Sequence, residues 1–245
     1  MAAHQRVSNW ACPSLANAYT ALGIEILHPW QAACLNTPGV FPRERDAPRK
    51  NLLFSAPTSG GKSLVAELIA FASLIPGTGD VHLEDKACAL FILPYVALVE
   101  EKAASMSRLL QLAPDLKLKV SALHGSHGST DLGMTRIAVC TPERASAVID
   151  LLVKNGSISR LRSVIVDEIH LIGESRRGAA LESMLAKLLL LSTGTTKSLL
   201  QIVGMSATGM WWSYWRLKRL SSSFSSYVFY YSRILVCHSQ VQCPT

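Results

Sequence analysis

Residues Leu52 to Glu67 constrain the fold of this chain more than any other stretch. They read LLFSAPTSGGKSLVAE: a short apolar run, a loop of small residues, Lys62 and Ser63, then apolar residues at helical spacing. The spacing Ala56-x-x-x-x-Gly61-Lys62-Ser63 is that of a phosphate-binding loop between a strand and a helix, with Ala where the general pattern has its first Gly. Gly60 and Gly61 lack Cβ atoms, so the backbone can approach a polyphosphate closely. Across Ser55, Ala56, Pro57, Thr58, Ser59, Gly60 and Gly61, inward N–H groups and the positive end of the following helix make an anion nest. Lys62 adds a point charge for the β/γ-phosphates, and the Ser63 hydroxyl is a candidate Mg²⁺ ligand. The bland alternative is a glycine-rich strand-to-helix turn with a chance Lys-Ser pair. The strand, loop, helix order favours the phosphate loop.

A second stretch adds chemistry to binding. Ser163 to His170 reads SVIVDEIH, a buried-strand pattern ending in two acids. Asp167 stands where a strand-end carboxylate holds the Mg²⁺ of a nucleotide. Glu168 is placed to orient or deprotonate an attacking water. The alternative is a strand end capped by solvated acids. Taken with the phosphate loop, the pair predicts an ATPase with Lys62, Asp167 and Glu168 as catalytic residues, Ser63 and Asp167 as metal ligands, and ATP and Mg²⁺ as cofactors.

Composition sets limits but names no partner. A chain of 245 residues, 49% hydrophobic, can bury one large core. The net charge of +7 is uneven, because Arg216, Lys218, Arg219 and Arg233 in the last 37 residues face no acid there. That leaves +3 for the first 208 residues, so basicity alone does not imply nucleic acid. The six cysteines form no C-x-x-C pair, which argues against a zinc finger. Cys88 and Cys140 lie in apolar runs and read as small core residues. No N-terminal apolar segment and no run of 18 apolar residues is present, so neither signal peptide nor membrane span is expected.

Strand-like and helix-like segments alternate. Helices are expected over Ser14 to Leu22, near Ala32, over Val96 to Leu112, from Thr141 to about Val153, and over Ala179 to Leu191. Strands are expected over Cys88 to Leu93, Leu118 to Leu123, Arg136 to Cys140, Val164 to Val166 and, finally, Gln201 to Met205. Thr37 to Lys50, with three prolines, reads as a surface loop, and Pro76 to Asp80 as a turn. Thr141 suits a helix N-cap and Pro142 the first turn. The alternation predicts an α/β fold, a mostly parallel sheet with helices on both faces. Ligands then sit at the carboxyl ends of the strands, where Lys62, Asp167 and Glu168 fall.

Six blocks in order, SAPTSGGKS, LPYVALVEEK, TPERA, VDEIH, GESRRGAALE and GMSAT, resemble the first RecA-like domain of a superfamily 2 DNA helicase. More narrowly, they resemble the DNA-repair helicases related to the helicase domain of DNA polymerase theta, over roughly Trp30 to Thr208. The resemblance implies a RecA-like P-loop NTPase domain at 1–208. It makes Gln31 a candidate adenine contact, with a helix-surface amide as the alternative. It makes Pro94 to Lys102 and Thr141 to Arg144 strand-tracking segments, with Pro94, Thr141, Pro142 and Arg144 as nucleic-acid contacts. Contacts of this kind read backbone and not sequence. Ser206 and Thr208 become coupling residues between nucleotide and strand, with His170 in the same relay or else structural. Arg176 and Arg177 match a basic block but read equally as a solvated face. Single-stranded or forked DNA, other DNA-repair proteins and a nuclear location are further implications, with no membrane.

After Thr208 the family pattern breaks. The family continues into a second RecA-like domain that supplies an arginine finger. Residues 209–245 instead form a basic tail with nine of the seventeen aromatics and eight serines. That composition reads as a divergent segment rather than a domain, from a truncated product, an alternative exon or a frame change. Stacking on single strands is a lesser alternative. Two functional classes stay open: the ATP-binding domain of a DNA-repair helicase, incomplete for unwinding, and a catalytically weak nucleic-acid or protein-binding module. A P-loop kinase would need an acceptor site in place of the DEIH and SAT blocks.

Overall fold

Strand β1 (Leu52–Ser55) sits inside an eight-stranded sheet of order β3-β4-β2-β5-β6-β1-β7-β8. The other strands are β2 (Cys88–Ile92), β3 (Val120–Leu123), β4 (Ile137–Cys140), β5 (Leu161–Val166), β6 (Gln201–Ser206), β7 (Ser226–Tyr231) and β8 (Ile234–His238). The helices are α1 (Pro13–Ala21), α2 (Pro29–Asn36), α3 (Lys62–Leu74), α4 (Val96–Gln111), α5 (Pro142–Lys154) and α6 (Arg177–Thr193). This computed structural model describes residues 5–43, 49–57, 60–75, 86–173, 177–193, 199–207, 226–231 and 234–238. The turn expected at Pro76 to Asp80, together with Thr58, Ser59, Arg176, Thr208 and the basic residues of the tail, lies outside the described residues.

All pairings are parallel except β7 with β8. The direction of chain travel explains the layers. Through α3 and α4 the chain moves from β1 to β2 and on to β3, toward one edge of the sheet. Through α5 and α6 it moves back from β4 to β5 and β6. Right-handed crossovers taken in opposite directions put helices on opposite faces. Strand residues divide accordingly. Leu52, Phe54, Phe91 and Val203 join the core under α1 to α4, while Leu53, Leu90, Val164 and Ile202 join the core under α5 and α6. Burial on both faces is why these strands read as continuous apolar runs and not as alternating ones.

Cys88 and Cys140 are fully buried free thiols, with pKa values pushed up by burial to about 11 and about 12, in keeping with core residues. Two expectations need correction. The loop from Thr37 to Lys50 is no mere surface excursion in its described part. Val40 is buried, and Gln201 Nε2 donates to Val40 O at 2.7 Å and Lys50 O at 2.8 Å. Nor is β6 the last strand, because β7 adds in parallel to β1 and β8 to β7. Tyr227 to Tyr231 is rich in aromatic and branched residues, which suit a pleated surface, and β1 offers them an unpaired edge.

Candidate nucleotide-binding site

Three adjacent strands, β5, β6 and β1, deliver their carboxyl ends to one place. After β1 the loop turns at Gly61, whose φ of +79° lies in the left-handed region that suits glycine. Helix α3 begins at Lys62, so the first-turn N–H groups that lack intrahelical acceptors face the loop. Lys62 Nζ donates to Ala56 O at 2.9 Å and to Pro57 O at 3.0 Å. Those carbonyls hold the ammonium at the C-terminal end of β1. Ser63 is exposed and lines a cleft of about 420 Å³ beside the loop. Leu22, Ile24, Ile26 and Leu64 make the cleft partly apolar, and Gln31 and Gly61 border it.

From the neighbouring strand, Asp167 N–H donates to Ile92 O at 3.0 Å, which fixes the turn that carries the two acids. Asp167 Oδ1 accepts the N–H of Glu168 at 2.9 Å. Burial raises the Asp167 carboxyl pKa; the Glu168 N–H bond lowers it, Glu168 repulsion raises it, and Lys62 and Lys102 lower it. Lys62 is therefore near enough to act on the Asp167 charge. Glu168 has φ of +47°, an uncommon conformation for a residue with a side chain. Its Oε2 is buried without a hydrogen-bond donor among the described residues. That oxygen lies 3.1 Å from His170 Nδ1, yet the hydrogen bond of this nitrogen joins Ser206 Oγ at 2.9 Å. Strain and an unsatisfied acceptor at one carboxylate are features that recur where chemistry is done.

Ser206 connects the parts. Its carbonyl accepts the Ala56 N–H and the Ser55 hydroxyl, each at 3.2 Å, while its own hydroxyl meets His170. Ser206 thereby joins Ser55 and Ala56 to His170, which stands beside Glu168.

Other predicted residues sit differently. Gln31 is 2% exposed, which excludes the surface-amide alternative. Its Oε1 accepts the His28 N–H at 2.7 Å and its Nε2 donates to Gly61 O at 2.8 Å, so both ends of the amide already serve the protein. Lys102 does not face outward; it pairs with Glu67 and lies 5.8 Å from the Phe91 ring centre. Thr141 occupies the N-cap position of α5, but its side chain makes no capping bond, a correction to the cap expected of it. Pro94, Thr141 and Pro142 are buried, and Arg144 Nη2 donates to Gly128 O at 2.6 Å. What these segments present outward is the side chains of Tyr95, Val96, Leu98, Glu100, Glu101 and Glu143, together with the first-turn N–H groups of Glu143 and Arg144, which have no i−4 acceptor within α5.

Sequence reasoning missed Glu67. It accepts the Tyr19 hydroxyl at 2.7 Å and pairs with Lys102, joining α1, α3 and α4 under the cleft. Tyr19 is 48 residues away in the chain and Lys102 is 35, so no local pattern announces the group.

A family model described as DEAD/DEAH box helicase matches residues 41–210. The chain is 36% identical over 214 residues to DNA polymerase theta of Mus musculus, covering 82% of this chain and 8% of that protein. It is 40% identical over 190 residues to Helicase POLQ-like of Homo sapiens, covering 76% of this chain and 15% of that protein. The chain therefore spans a small part of the relatives it matches. Among solved structures, the DUF1998 helicase MrfA bound to DNA and AMPPNP superposes with a TM-score of 0.63 at 17% identity, over 81% of this chain and 26% of that one. At that identity the likeness is one of fold.

Proposed function

The chain belongs to the DEAD/DEAH box helicase family, and from that premise we propose that residues 1–208 are the ATP-binding RecA-like domain of a DNA-repair helicase. The observation that carries this reading is the placement of Lys62 after β1 and of Asp167 and Glu168 after β5, with Ser206 on the intervening β6 bonded to Ser55, Ala56 and His170. Triphosphate lies along residues 55–61 with Lys62 on the β/γ-phosphates. Ser63 and Asp167 hold Mg²⁺, which supplies charge neutralisation of the phosphates when bound. Their fit to such an ion rests on chemistry: an exposed hydroxyl and a carboxylate beside a phosphate loop are hard oxygen donors. Glu168 orients and deprotonates water, consistent with its buried Oε2 lacking a donor. The base occupies the cleft lined by Ile24 and Ile26, where Gln31 reaches adenine with the amide hydrogen that Gly61 leaves over.

Single-stranded or forked DNA crosses the strand ends at 94–102 and 141–144. Since Pro94, Thr141 and Pro142 are buried, it meets backbone N–H groups there, and Ser206, His170 and Thr208 report nucleotide state to it. A nuclear location and contact with other repair proteins follow from that substrate. No helix among the described residues is long and apolar enough to cross a membrane.

Calorimetric titration with Mg²⁺-ATP tests the site. Lys62→Ala is expected to weaken binding at least tenfold while far-UV circular dichroism stays unchanged. Equal affinities would overturn the assignment. DNA is expected to bind weakly without sequence preference, and less tightly as salt rises. Affinity that does not change between low and moderate salt would remove phosphate contacts as its source.

A further inference from the structure

The turn that follows β3 brings two imidazoles and a carboxylate together, apart from the nucleotide site. His124 and His127 close the turn on each other: the His127 N–H donates to His124 O at 2.7 Å and the His124 N–H to His127 O at 3.3 Å. Their rings stack with centroids 5.1 Å apart and planes 18° apart. Glu100, on α4, meets His124 Nε2 through its Oε1. One ligand atom from each of Glu100, His124 and His127 lies within 4.8 Å of the other two. The backbone under the rings has little freedom. Gly128 has φ of +77°, and a Cβ there would stand 2.4 Å from Leu123 Cδ2 and 2.7 Å from Ala122 O. On its far side the Arg144 guanidinium holds Gly128 O.

We infer that Glu100, His124 and His127 form a binding site for a divalent transition-metal ion of the Zn²⁺ type. Two neutral imidazoles with one carboxylate are a three-ligand zinc donor set, with the fourth position left to water. Imidazole donors suit Zn²⁺, whereas Mg²⁺ takes oxygen, so the ion expected with the nucleotide does not compete here. Metal bonds of about 2.0–2.2 Å replace the direct contact between Glu100 and His124, and rotation of the exposed Glu100 and His127 side chains supplies the adjustment. An ion pair between His124 and Glu100 explains one imidazole. It gives no role to the second ring stacked on the first, whereas a metal uses both. The ion ties α4 to the turn after β3, and through Gly128 and Arg144 to α5.

The purified chain, stripped with chelator and free of nucleotide, is titrated with Zn²⁺ by calorimetry and with Co²⁺ by visible absorption. His127→Ala and Glu100→Gln are each expected to weaken one Zn²⁺ site by on the order of 10–100-fold or more, since even outer-shell changes cost that much. Both are expected to lose Co²⁺ d–d intensity while far-UV circular dichroism stays unchanged. The chain also has thiols at Cys237 and Cys243. Unaltered Zn²⁺ affinity in both variants, with thiolate-to-cobalt charge transfer retained, would assign the metal to cysteine and overturn the site. Absence of Zn²⁺ binding to the parent would overturn it equally, leaving an ion pair.

Discussion

At Asp167 the environment works against the charge that the chemistry requires. Burial raises its carboxyl pKa, Glu168 adds repulsion, and the Glu168 N–H, Lys62 and Lys102 recover only part. An acid whose pKa is higher folded than unfolded binds its proton more tightly in the fold. Its contribution to stability is therefore greatest below the unfolded carboxylate range and is lost as pH rises through the folded value. Asp167→Asn keeps the acceptor for the Glu168 N–H and removes the charge. The variant is expected to melt higher than the parent at neutral pH without Mg²⁺, with the gap closing as pH falls below the carboxylate range. Its Mg²⁺-dependent ATP hydrolysis is expected to be lost. A parent that melts at or above the variant at neutral pH would contradict this account. The position of Asp167 was legible from a strand pattern ending in two acids. The left-handed backbone at Glu168 was not, because nothing in a side chain other than glycine announces a positive φ.

One carboxylate organises the helices beneath the nucleotide cleft. Glu67 on α3 accepts from Tyr19 on α1 and pairs with Lys102 on α4, and both charged side chains are mostly buried, at 13% and 14% exposure. Burial, and secondarily Glu67, raise the Tyr19 pKa well above its usual value, so the phenol stays a donor throughout the working pH range. Removing one member of a buried pair leaves the other charge without compensation, at a cost of about 3 kcal/mol. Glu67→Ala is expected to destabilise by about that amount, and Tyr19→Phe by about 1 kcal/mol. In urea unfolding, the double variant should cost less than the sum, because the two groups are hydrogen-bonded to each other. Additive losses would mean that the hydroxyl and the pair act separately. Elements such as β1, α3, α4 and β5 were legible because their apolar spacing and punctuation are local. Their mutual anchors were not: Glu67 with Lys102, Gln31 with Gly61, and Gln201 with Val40 join residues 35, 30 and 161 positions apart. The strand at β7 was missed, because its aromatic, serine-rich run lacks a sustained alternation and its pairing with β1 needs an edge that sequence does not show.

Residues 49–207, where described, form one sheet with a core on each face, which is a single body and not two that can move against each other. Conversion of hydrolysis into strand movement needs a second body that closes on the nucleotide and opens again. The site shows the same need in its charges. Lys62 is held by Ala56 O and Pro57 O, while Lys102, which also acts on Asp167, is already paired with Glu67. A cation from an opposing domain stabilises transition-state charge by on the order of 10³–10⁵ in rate where such groups operate. The 245-residue polypeptide by itself is therefore expected to bind ATP, to hydrolyse it slowly through Glu168, and to leave duplex DNA intact. Strand displacement on a forked duplex with Mg²⁺-ATP, with Glu168→Gln as the control, measures this. Addition of a separately purified second helicase domain should raise hydrolysis toward the lower end of that range if an opposing cation limits the rate. Robust unwinding by the polypeptide alone, abolished in Glu168→Gln, would show that one body suffices and would overturn the expectation that a second is needed.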